Sequence, residues 1–101
     1  MSGRTTNSAS KVLKVLLALR GHALNGLSNG ELSKALGEPP SAITRHLSTL
    51  VAEGLAVKLP SGRYAHGVMM LQIATAYASE MNRAQSRIDE LKQRVLAGSH
   101  Q

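Results

Sequence analysis

Two adjacent prolines divide a pair of helical patterns in the first half of this chain. Neither Pro39 nor Pro40 can continue a preceding helix, and each biases the residue before it toward an extended conformation. The helical spacing of apolar residues before them stops at Gly37, and a new helical spacing begins directly after them. The sequence therefore predicts two helices joined by a tight turn, which is a helix-turn-helix.

The first of these two helices has a recognisable start. Ser28 and Glu31 match a capping box, in which the Ser hydroxyl accepts from a first-turn N–H and the Glu carboxylate accepts from the cap N–H. From this start to Gly37 there is room for a helix of roughly two turns. Its predicted apolar residues are Leu32, Ala35 and Leu36.

The second helix is predicted between Pro40 and Gly54, with Ser41 as its N-cap. One apolar stripe follows at helical spacing, and it consists of Ile43, Leu47, Leu50 and Val51. At about 100° per residue, the opposite face carries short side chains and one cation. This face consists of Ser41, Arg45, Ser48, Thr49 and Ala52.

The short-chained face suits a helix that lies in the major groove of DNA. Short side chains let the backbone approach the groove, and an Arg or Ser near the helix start reaches bases and phosphates. Glu53 is the one acid of this segment and lies at its end. Two alternatives stay open: an ordinary amphipathic helix with a short outer face, or Arg45 paired with Glu38 or Glu53.

Composition narrows the class of protein. The 101 residues carry a net charge of +6 and a pI of about 10.4, which favours nucleic acid as the partner. The absence of Cys excludes disulfides, thiol catalysis and Cys-ligated zinc. Aromatic residues make up only 2%, which argues against single-strand binding by base stacking. No apolar run approaches the ~18 residues of a membrane span, and no signal peptide is visible. We therefore expect a soluble, cytoplasmic, nucleoid-associated protein, bacterial or phage-encoded.

The basic excess coincides with the predicted helix-turn-helix. Residues 1–67 hold eight basic and three acidic residues, whereas residues 68–101 hold four and three. The rival interpretation, from another functional class, is a protein interaction module, in which residues 1–67 are a scaffold and the segment after them docks a partner protein. Docking of a protein does not require a basic surface, so the excess of basic residues in residues 1–67 favours DNA as the partner.

No catalytic or metal-binding constellation stands out in the sequence. The histidines at positions 22, 46, 66 and 100 lack the spacing of metal ligands, and His46 is predicted to be a packing residue. There is no glycine-rich phosphate loop and no pairing of a nucleophile with a base. We therefore expect no enzyme activity, no catalytic residue, no metal and no cofactor.

A further helix is predicted at the start of the chain. Residues 1–7 are expected to be disordered, and Asn7 or Ser8 to cap a helix that runs to about Arg20. Its apolar face is too broad for a surface helix and is expected to pack against two elements. That face consists of Val12, Leu13, Leu16, Leu17 and Leu19.

A two-stranded hairpin is predicted after the helix-turn-helix. Leu55, Val57 and Leu59 alternate with other residues, as on the buried side of a strand. Residues 60–62 form a turn, and residues 63–66 run back as the second strand. A hairpin that follows a recognition helix is a wing, and its cations reach phosphates or the minor groove. The predicted contacts are Lys58, Ser61, Gly62 and Arg63.

Residues 68–97 contain neither Pro nor Gly and are predicted to form one long helix, with residues 98–101 as a disordered tail. From Tyr77 onward, apolar residues recur at spacings of four and three, which is a heptad seam. The same seam on a second copy would cover it, so the sequence predicts a homodimer. Because Ala84 weakens the seam, the first helix is expected to share in the contact. The seam consists of Tyr77, Met81, Ala84, Ile88, Leu91 and Val95.

Residues 8 to about 75 resemble the N-terminal winged helix-turn-helix of IclR-type transcription regulators. The shared points are Ser8 with Lys11, Glu31-Leu32, Pro40-Ser41, Arg45 with Leu47, Thr49-Leu50, Gly54, and Gly62-Arg63-Tyr64 before Gly67. The resemblance implies a DNA-binding dimer whose wing lies on the DNA backbone. It also implies that Ser41, Ala42, Thr44 and Arg45 lie near the operator.

Two departures limit what the resemblance implies. His66 stands where the family usually has an apolar residue before the glycine. The large C-terminal effector domain of the family has no counterpart in this sequence, so we expect no small-molecule ligand.

The predicted fold class is mainly α. A winged helix-turn-helix of three helices and a two-stranded wing spans residues 8–67, and a long dimerisation helix spans residues 68–97. The predicted function is a sequence-specific regulator that binds double-stranded DNA at an inverted repeat, as a homodimeric repressor. A DNA-binding accessory factor of a phage or mobile element is the alternative within the same class.

Overall fold

The computed structural model describes residues 4–99 of the chain. The elements are α1 (Asn7–Ala18), α2 (Asn29–Leu36), α3 (Pro40–Ala52), β1 (Ala56–Lys58), β2 (Tyr64–His66) and α4 (Val68–Ser99). Two compact units divide after Leu71, within α4. We call the first the winged unit and the second, from Gln72 onward, the helical unit. Three helices, a two-stranded wing and a long helix confirm the predicted fold class.

The core of the winged unit lies where α1, α2 and α3 meet. Six side chains, each at most 2% exposed, fill it. They are Val15 from α1 and Leu19 directly after it, Leu32 from α2, and Ile43, Leu47 and Leu50 from α3. Aliphatic burial of this kind drives folding in a chain that has only two aromatic residues.

The start and end of α2 are as predicted. The Ser28 hydroxyl accepts from the Glu31 N–H at 3.0 Å, and the Glu31 carboxylate accepts from the Ser28 N–H at 2.9 Å. Both bonds of the capping box are therefore present. Gly37 ends the helix with a φ of 67°, in the left-handed region that only glycine adopts at little cost.

The predicted caps of the other two short helices are wrong. Helix α3 begins at Pro40 after an extended Pro39, so Ser41 lies within the first turn rather than at the N-cap. Proline suits the first helical position because its missing N–H would have no partner there. Helix α1 follows Thr6 rather than a side-chain cap at Asn7 or Ser8. In both helices the cap side chain makes no hydrogen bond.

The first helix buries a narrower stripe than its sequence predicts. Val15 and Leu19 are fully buried, whereas Leu13 and Leu17 are 54% and 59% exposed. Leu13 and Leu17 therefore do not pack within the single chain, and a share of this face in a dimer contact stays a prediction. Helix α1 also ends at Ala18, slightly before the predicted end. An exposed apolar pair is thus left on the outside of α1.

The wing is a short antiparallel hairpin in which Val57 pairs with Ala65. The predicted alternation of buried residues is wrong, since Ala56 is 4% exposed while Val57 is 43% exposed. The reason lies at the end of α3, where the Leu55 N–H donates to the Leu50 carbonyl at 2.8 Å. This bond holds the start of the wing against the helices and places Ala56 in the core.

The long helix continues further than predicted. It reaches Ser99, so residues 98 and 99 are helical rather than part of a disordered tail. Asn7 is likewise helical, while residues 1–3 and 100–101 lie outside the described residues. Among residues 4–99, no helix combines the length and apolar character needed to cross a membrane.

Candidate nucleic-acid interface

The side of α3 that faces away from the core is exposed and short-chained. We call it the outer face of α3, and it consists of Ser41, Thr44, Arg45, Ser48 and Thr49, all exposed. Ala42, which the family resemblance placed near DNA, is only 7% exposed because it points toward the core. Ala42 therefore does not belong to this surface. Ala52 is exposed, as predicted, at the end of the helix.

Arg45 is the cation of the outer face. Its side chain is exposed and makes no ion pair with any residue between positions 4 and 99. Glu38, one of the two acids considered as partners of Arg45, instead pairs with Lys11. The Lys11 Nζ lies 3.6 Å from Glu38 Oε1. The alternative in which Arg45 pairs with Glu38 or Glu53 is therefore wrong in this structure. An exposed guanidinium with unused donors is suited to bases and phosphates.

The hydroxyl groups of the outer face differ in what they contact. Thr44 Oγ1 accepts from Asn29 Nδ2 at 2.9 Å and donates to the Pro40 carbonyl at 3.0 Å. Thr49 Oγ1 donates to the Arg45 carbonyl at 3.2 Å. Among the described residues, the hydroxyls of Ser41 and Ser48 form no hydrogen bond, so they are the ones available to an external ligand.

The wing contributes one exposed cation to the same side of the winged unit. Lys58 Nζ lies 6.0 Å from the centre of the Tyr64 ring, at the outer limit of a cation–π contact. A shallow concavity of about 310 Å³ runs from the wing to the end of α3. Its lining consists of Ser48, Val51, Ala52, Lys58 and Tyr64. Lys58 and the outer face of α3 thus share one continuous surface.

The tip of the wing is exposed, as predicted. The Gly62 N–H donates to the Leu59 carbonyl at 2.8 Å, and Gly62 has a φ of 89° that favours glycine. The Ser61 hydroxyl accepts from the Arg63 N–H at 3.3 Å. The tip is therefore a tight turn held by hydrogen bonds within the hairpin.

Arg63 has surroundings that the sequence did not indicate. Its Nε donates to the Asn25 carbonyl at 2.8 Å, and its Nη2 donates to the Gly26 carbonyl at 3.1 Å. The same Nη2 lies 2.7 Å from Glu31 Oε1. The guanidinium is thus directed at its own chain, although the sequence placed it among the DNA contacts. The sequence signals only the capping role of Glu31, and nothing in the spacing joins positions 31 and 63.

The carboxylate of Glu31 is held in its charged form. The N–H of Ser28 donates to it, which is the largest cause of a pKa below the ordinary value of 4.5, and the charge of Arg63 acts in the same direction. Glu31 therefore carries a full negative charge at neutral pH. The charge of Glu31 is balanced locally by that of Arg63, which lies 2.7 Å away.

His46 is a packing residue, as predicted. It is 8% exposed, and its Nε2 has no hydrogen-bond partner within the described part of the chain. In residues 4–99, no group of three or more His, Cys, Asp and Glu side chains is arranged to hold a metal ion.

In the helical unit, the predicted seam residues lie along α4. Tyr77, Met81, Ile88, Leu91 and Val95 are between 49% and 65% exposed in the single chain, and Ala84 is half-buried. Polar pairs one turn apart accompany the seam, with Gln85 donating to Asp89 at 3.0 Å and Arg94 to Glu90 at 3.3 Å. The seam is thus an apolar stripe without cover in one copy of the chain.

Comparison with known families matches residues 8–60, just over half of the chain, to the IclR helix-turn-helix domain. The chain belongs to the IclR helix-turn-helix family. Domains of this family are the DNA-binding parts of transcription regulators, and the resemblance drawn from the sequence is confirmed.

Two solved structures share the fold of this chain. The crystal structure of HmgR from Pseudomonas aeruginosa is 29% identical with a TM-score of 0.67, and the match covers 76% of this chain and 33% of that one. An IclR family transcriptional regulator from Brucella abortus is 24% identical with a TM-score of 0.64, covering 78% and 31%. The chain thus spans about a third of the length of these two regulators. Comparison with curated proteins gives no match in sequence.

Proposed function

We propose that this IclR-type domain binds duplex DNA sequence-specifically, with the outer face of α3 in the major groove. The observation that carries the proposal is the unpaired, exposed Arg45 on a helix whose exposed side is otherwise short and polar. Short side chains permit close approach to the groove, and Arg makes the commonest specific base contact, a bidentate pair with guanine. Ser41 and Ser48 supply unused hydroxyls on the same face.

The wing adds a contact that does not depend on sequence. Lys58 lies on the surface that continues from the outer face of α3, so a duplex seated on α3 brings a phosphate within its reach. The net charge of residues 1–67 favours such contacts, because their basic residues outnumber the acidic ones by five. Ser61 and Gly62 at the exposed tip extend the same contact along the DNA backbone.

We further propose that the protein works as a homodimer. The exposed seam on α4 and the exposed Leu13 and Leu17 on α1 are apolar surfaces that a second copy would cover. A two-fold dimer presents two copies of α3, and dimers of helix-turn-helix proteins bind half-sites about one DNA turn apart, roughly 34 Å. The expected operator is an inverted repeat. Occupation of a promoter by such a dimer makes repression the expected outcome.

A binding assay over a salt series tests the proposal. The full chain is mixed with a random-sequence duplex and with a duplex selected from a random library, between about 50 and 200 mM salt. Affinity for both duplexes is expected to fall by orders of magnitude across this range, because phosphate contacts release counterions. Lys58→Ala is expected to reduce the salt slope for both duplexes alike, since it removes one such contact.

Three results would contradict the proposal. The first is the absence of duplex binding at the lowest salt concentration. The second is an affinity that hardly changes with salt, and the third is a selected duplex that binds no better than the random one. A single-stranded oligonucleotide of the same composition serves as the control, because the few aromatic residues offer little stacking surface.

A further inference from the structure

The first turn of α2 connects the recognition helix with the wing. Asn29 Nδ2 donates to Thr44 Oγ1 at 2.9 Å and to the Pro40 carbonyl at 3.1 Å, which ties this turn to the start of α3. Two residues later, Glu31 lies 2.7 Å from Arg63 of the wing. The same turn therefore contacts α3 through an amide and the wing through an ion pair.

The geometry of Arg63 is that of a brace. Its planar guanidinium uses Nε and Nη2 on the carbonyls of Asn25 and Gly26 and on the Glu31 carboxylate. Three directed contacts fix the orientation of the group, and a Lys ammonium on a flexible stem cannot reproduce such a fork. Three of the five N–H donors of Arg63 are thus used within the chain, whereas Arg45 uses none on another described residue.

Tyr64, the residue after Arg63, connects this brace to the surface proposed for DNA. The Tyr64 N–H donates to the Leu27 carbonyl, and the Leu27 N–H donates to the Tyr64 carbonyl, both at 2.8 Å. Leu27 thereby forms a bridge to the edge of the wing. The Tyr64 ring in turn lies beneath Lys58 and lines the concavity beside Ser48. A shift of Arg63 would therefore move Tyr64 and, with it, Lys58.

We propose that Arg63 and Glu31 are positioning residues, which set where the wing cation Lys58 stands relative to the outer face of α3. Arg63 acts through Glu31 and Tyr64 and not by contacting DNA, which replaces the direct contact predicted from the sequence. The inference rests on the proposed function, because it assigns how the two parts of the DNA-binding surface are held in register.

Three variants and one control separate positioning from direct contact. Arg63→Lys keeps the charge and loses the fork. Glu31→Gln keeps the capping box, which accepts Gln at this position, and loses the charge of the ion pair. The third variant combines both changes. Glu38→Gln is the control, because it also removes one acid and one ion pair, that with Lys11, outside this network.

The result for Glu31→Gln has a sign that a direct contact of Arg63 with DNA does not predict. Arg63→Lys and Glu31→Gln should each weaken duplex binding roughly three- to tenfold, and the double variant should be no weaker than the worse single variant, because the residues act as one unit. Removal of an acid ordinarily favours DNA binding, so Glu38→Gln should bind as tightly as the wild type or more tightly. If Arg63→Lys binds with wild-type affinity, the proposal is overturned. A Lys can make a direct phosphate contact but cannot reproduce the fork, so unchanged affinity would mean that the fork is not needed. Glu31→Gln binding as tightly as Glu38→Gln would also overturn it.

A second measurement needs no DNA and distinguishes failure of this inference from failure of the proposed function. Amide hydrogen exchange is followed at Leu27 and Tyr64, whose N–H groups form the bridge to the wing. Exchange at both should be faster in Arg63→Lys and Glu31→Gln than in Glu38→Gln. Unchanged exchange overturns the brace even if all variants bind DNA. If the wild type binds no duplex, the function fails, and exchange alone decides whether Arg63 holds the wing.

Discussion

Two arginines of the winged unit have opposite surroundings, and this difference separates their functions. Arg45 is exposed, and no ion pair involves it among the described residues, so its five donors are available to a ligand. Arg63 is oriented by two carbonyls and a carboxylate of its own chain. Net charge alone would count both as DNA contacts, whereas their hydrogen bonding supports the proposals of a DNA contact for Arg45 and a positioning role for Arg63.

Arg45→Ala is therefore expected to reduce sequence preference. Loss of a base contact should weaken binding to the selected duplex by about 1–3 kcal/mol and weaken binding to random duplex much less. Arg83→Ala, which removes the same charge from an exposed position on α4, serves as the control. Competition binding with both duplexes measures the difference. Equal losses for the two duplexes would mean that Arg45 contacts a phosphate and not a base.

At single positions, the sequence predicted chemistry that depends on near neighbours and missed chemistry that depends on distant ones. The capping bonds of Ser28 and Glu31 follow from a spacing of three residues. The pairing of Glu31 with Arg63 joins positions 32 residues apart, and no periodicity encodes it. The burial of Ala42 was missed because the family resemblance gave a position near DNA without the direction of its side chain.

At the scale of elements, the close fit between the loop before α2 and the wing depends on Gly26. Its φ is +67°, and a Cβ added there would overlap the carbonyl oxygen of Tyr64. Gly37, at the end of α2, has the same φ of +67° but open space around the Cβ position. The two glycines thus form a matched pair that separates backbone strain from steric overlap.

Replacement of each glycine by Ala should have different effects on stability. Gly37→Ala is expected to cost about 1 kcal/mol, the price of a left-handed conformation for a residue with a Cβ. Gly26→Ala is expected to cost about 2–4 kcal/mol in total, because overlap with the wing adds to the same strain. Urea unfolding at neutral pH measures both losses. Equal losses would show that the wing can withdraw from Leu27 without cost.

Element boundaries were predictable where backbone chemistry dictates them. Gly37 and the two prolines confine the turn between α2 and α3, and the stretch without Pro or Gly from Val68 predicts all of α4 except its last two residues. The burial order of β1 was not predictable from its alternation. In a strand of three residues, one bond from Leu55 to Leu50 decides which side chain meets the helices, and tertiary packing overrides the pattern.

For the whole molecule, the exposed seam on α4 predicts association of two copies. Ile88→Asp combined with Leu91→Asp places two charges in the seam and should give a monomer whose winged unit remains folded. DNA binding should then weaken by at least about tenfold, because a monomer has one winged unit to bind DNA instead of two linked ones. Sedimentation equilibrium measures the mass, and circular dichroism checks the fold.

The matched control for this prediction lies on the opposite side of the same helix. Ser86→Asp combined with Gln93→Asp adds the same charge about 170° away from the seam and should leave both mass and DNA affinity unchanged. A wild-type chain that sediments as a monomer at micromolar concentrations would refute the seam. It would also remove the reason to expect an operator with inverted symmetry.

The division of α3 into two faces also affects how the protein can diverge. Its core side chains, Ile43 and Leu50 among them, are separate from the exposed positions Arg45 and Ser48. On the proposed DNA-binding role of α3, substitutions at the exposed positions should therefore change the preferred duplex while folding stability stays nearly constant. Thr44 is different, because its hydroxyl accepts from Asn29 and a change there disturbs the link to α2. We therefore expect substitutions that change binding preference to occur at the exposed positions around Thr44 before they occur at Thr44 itself.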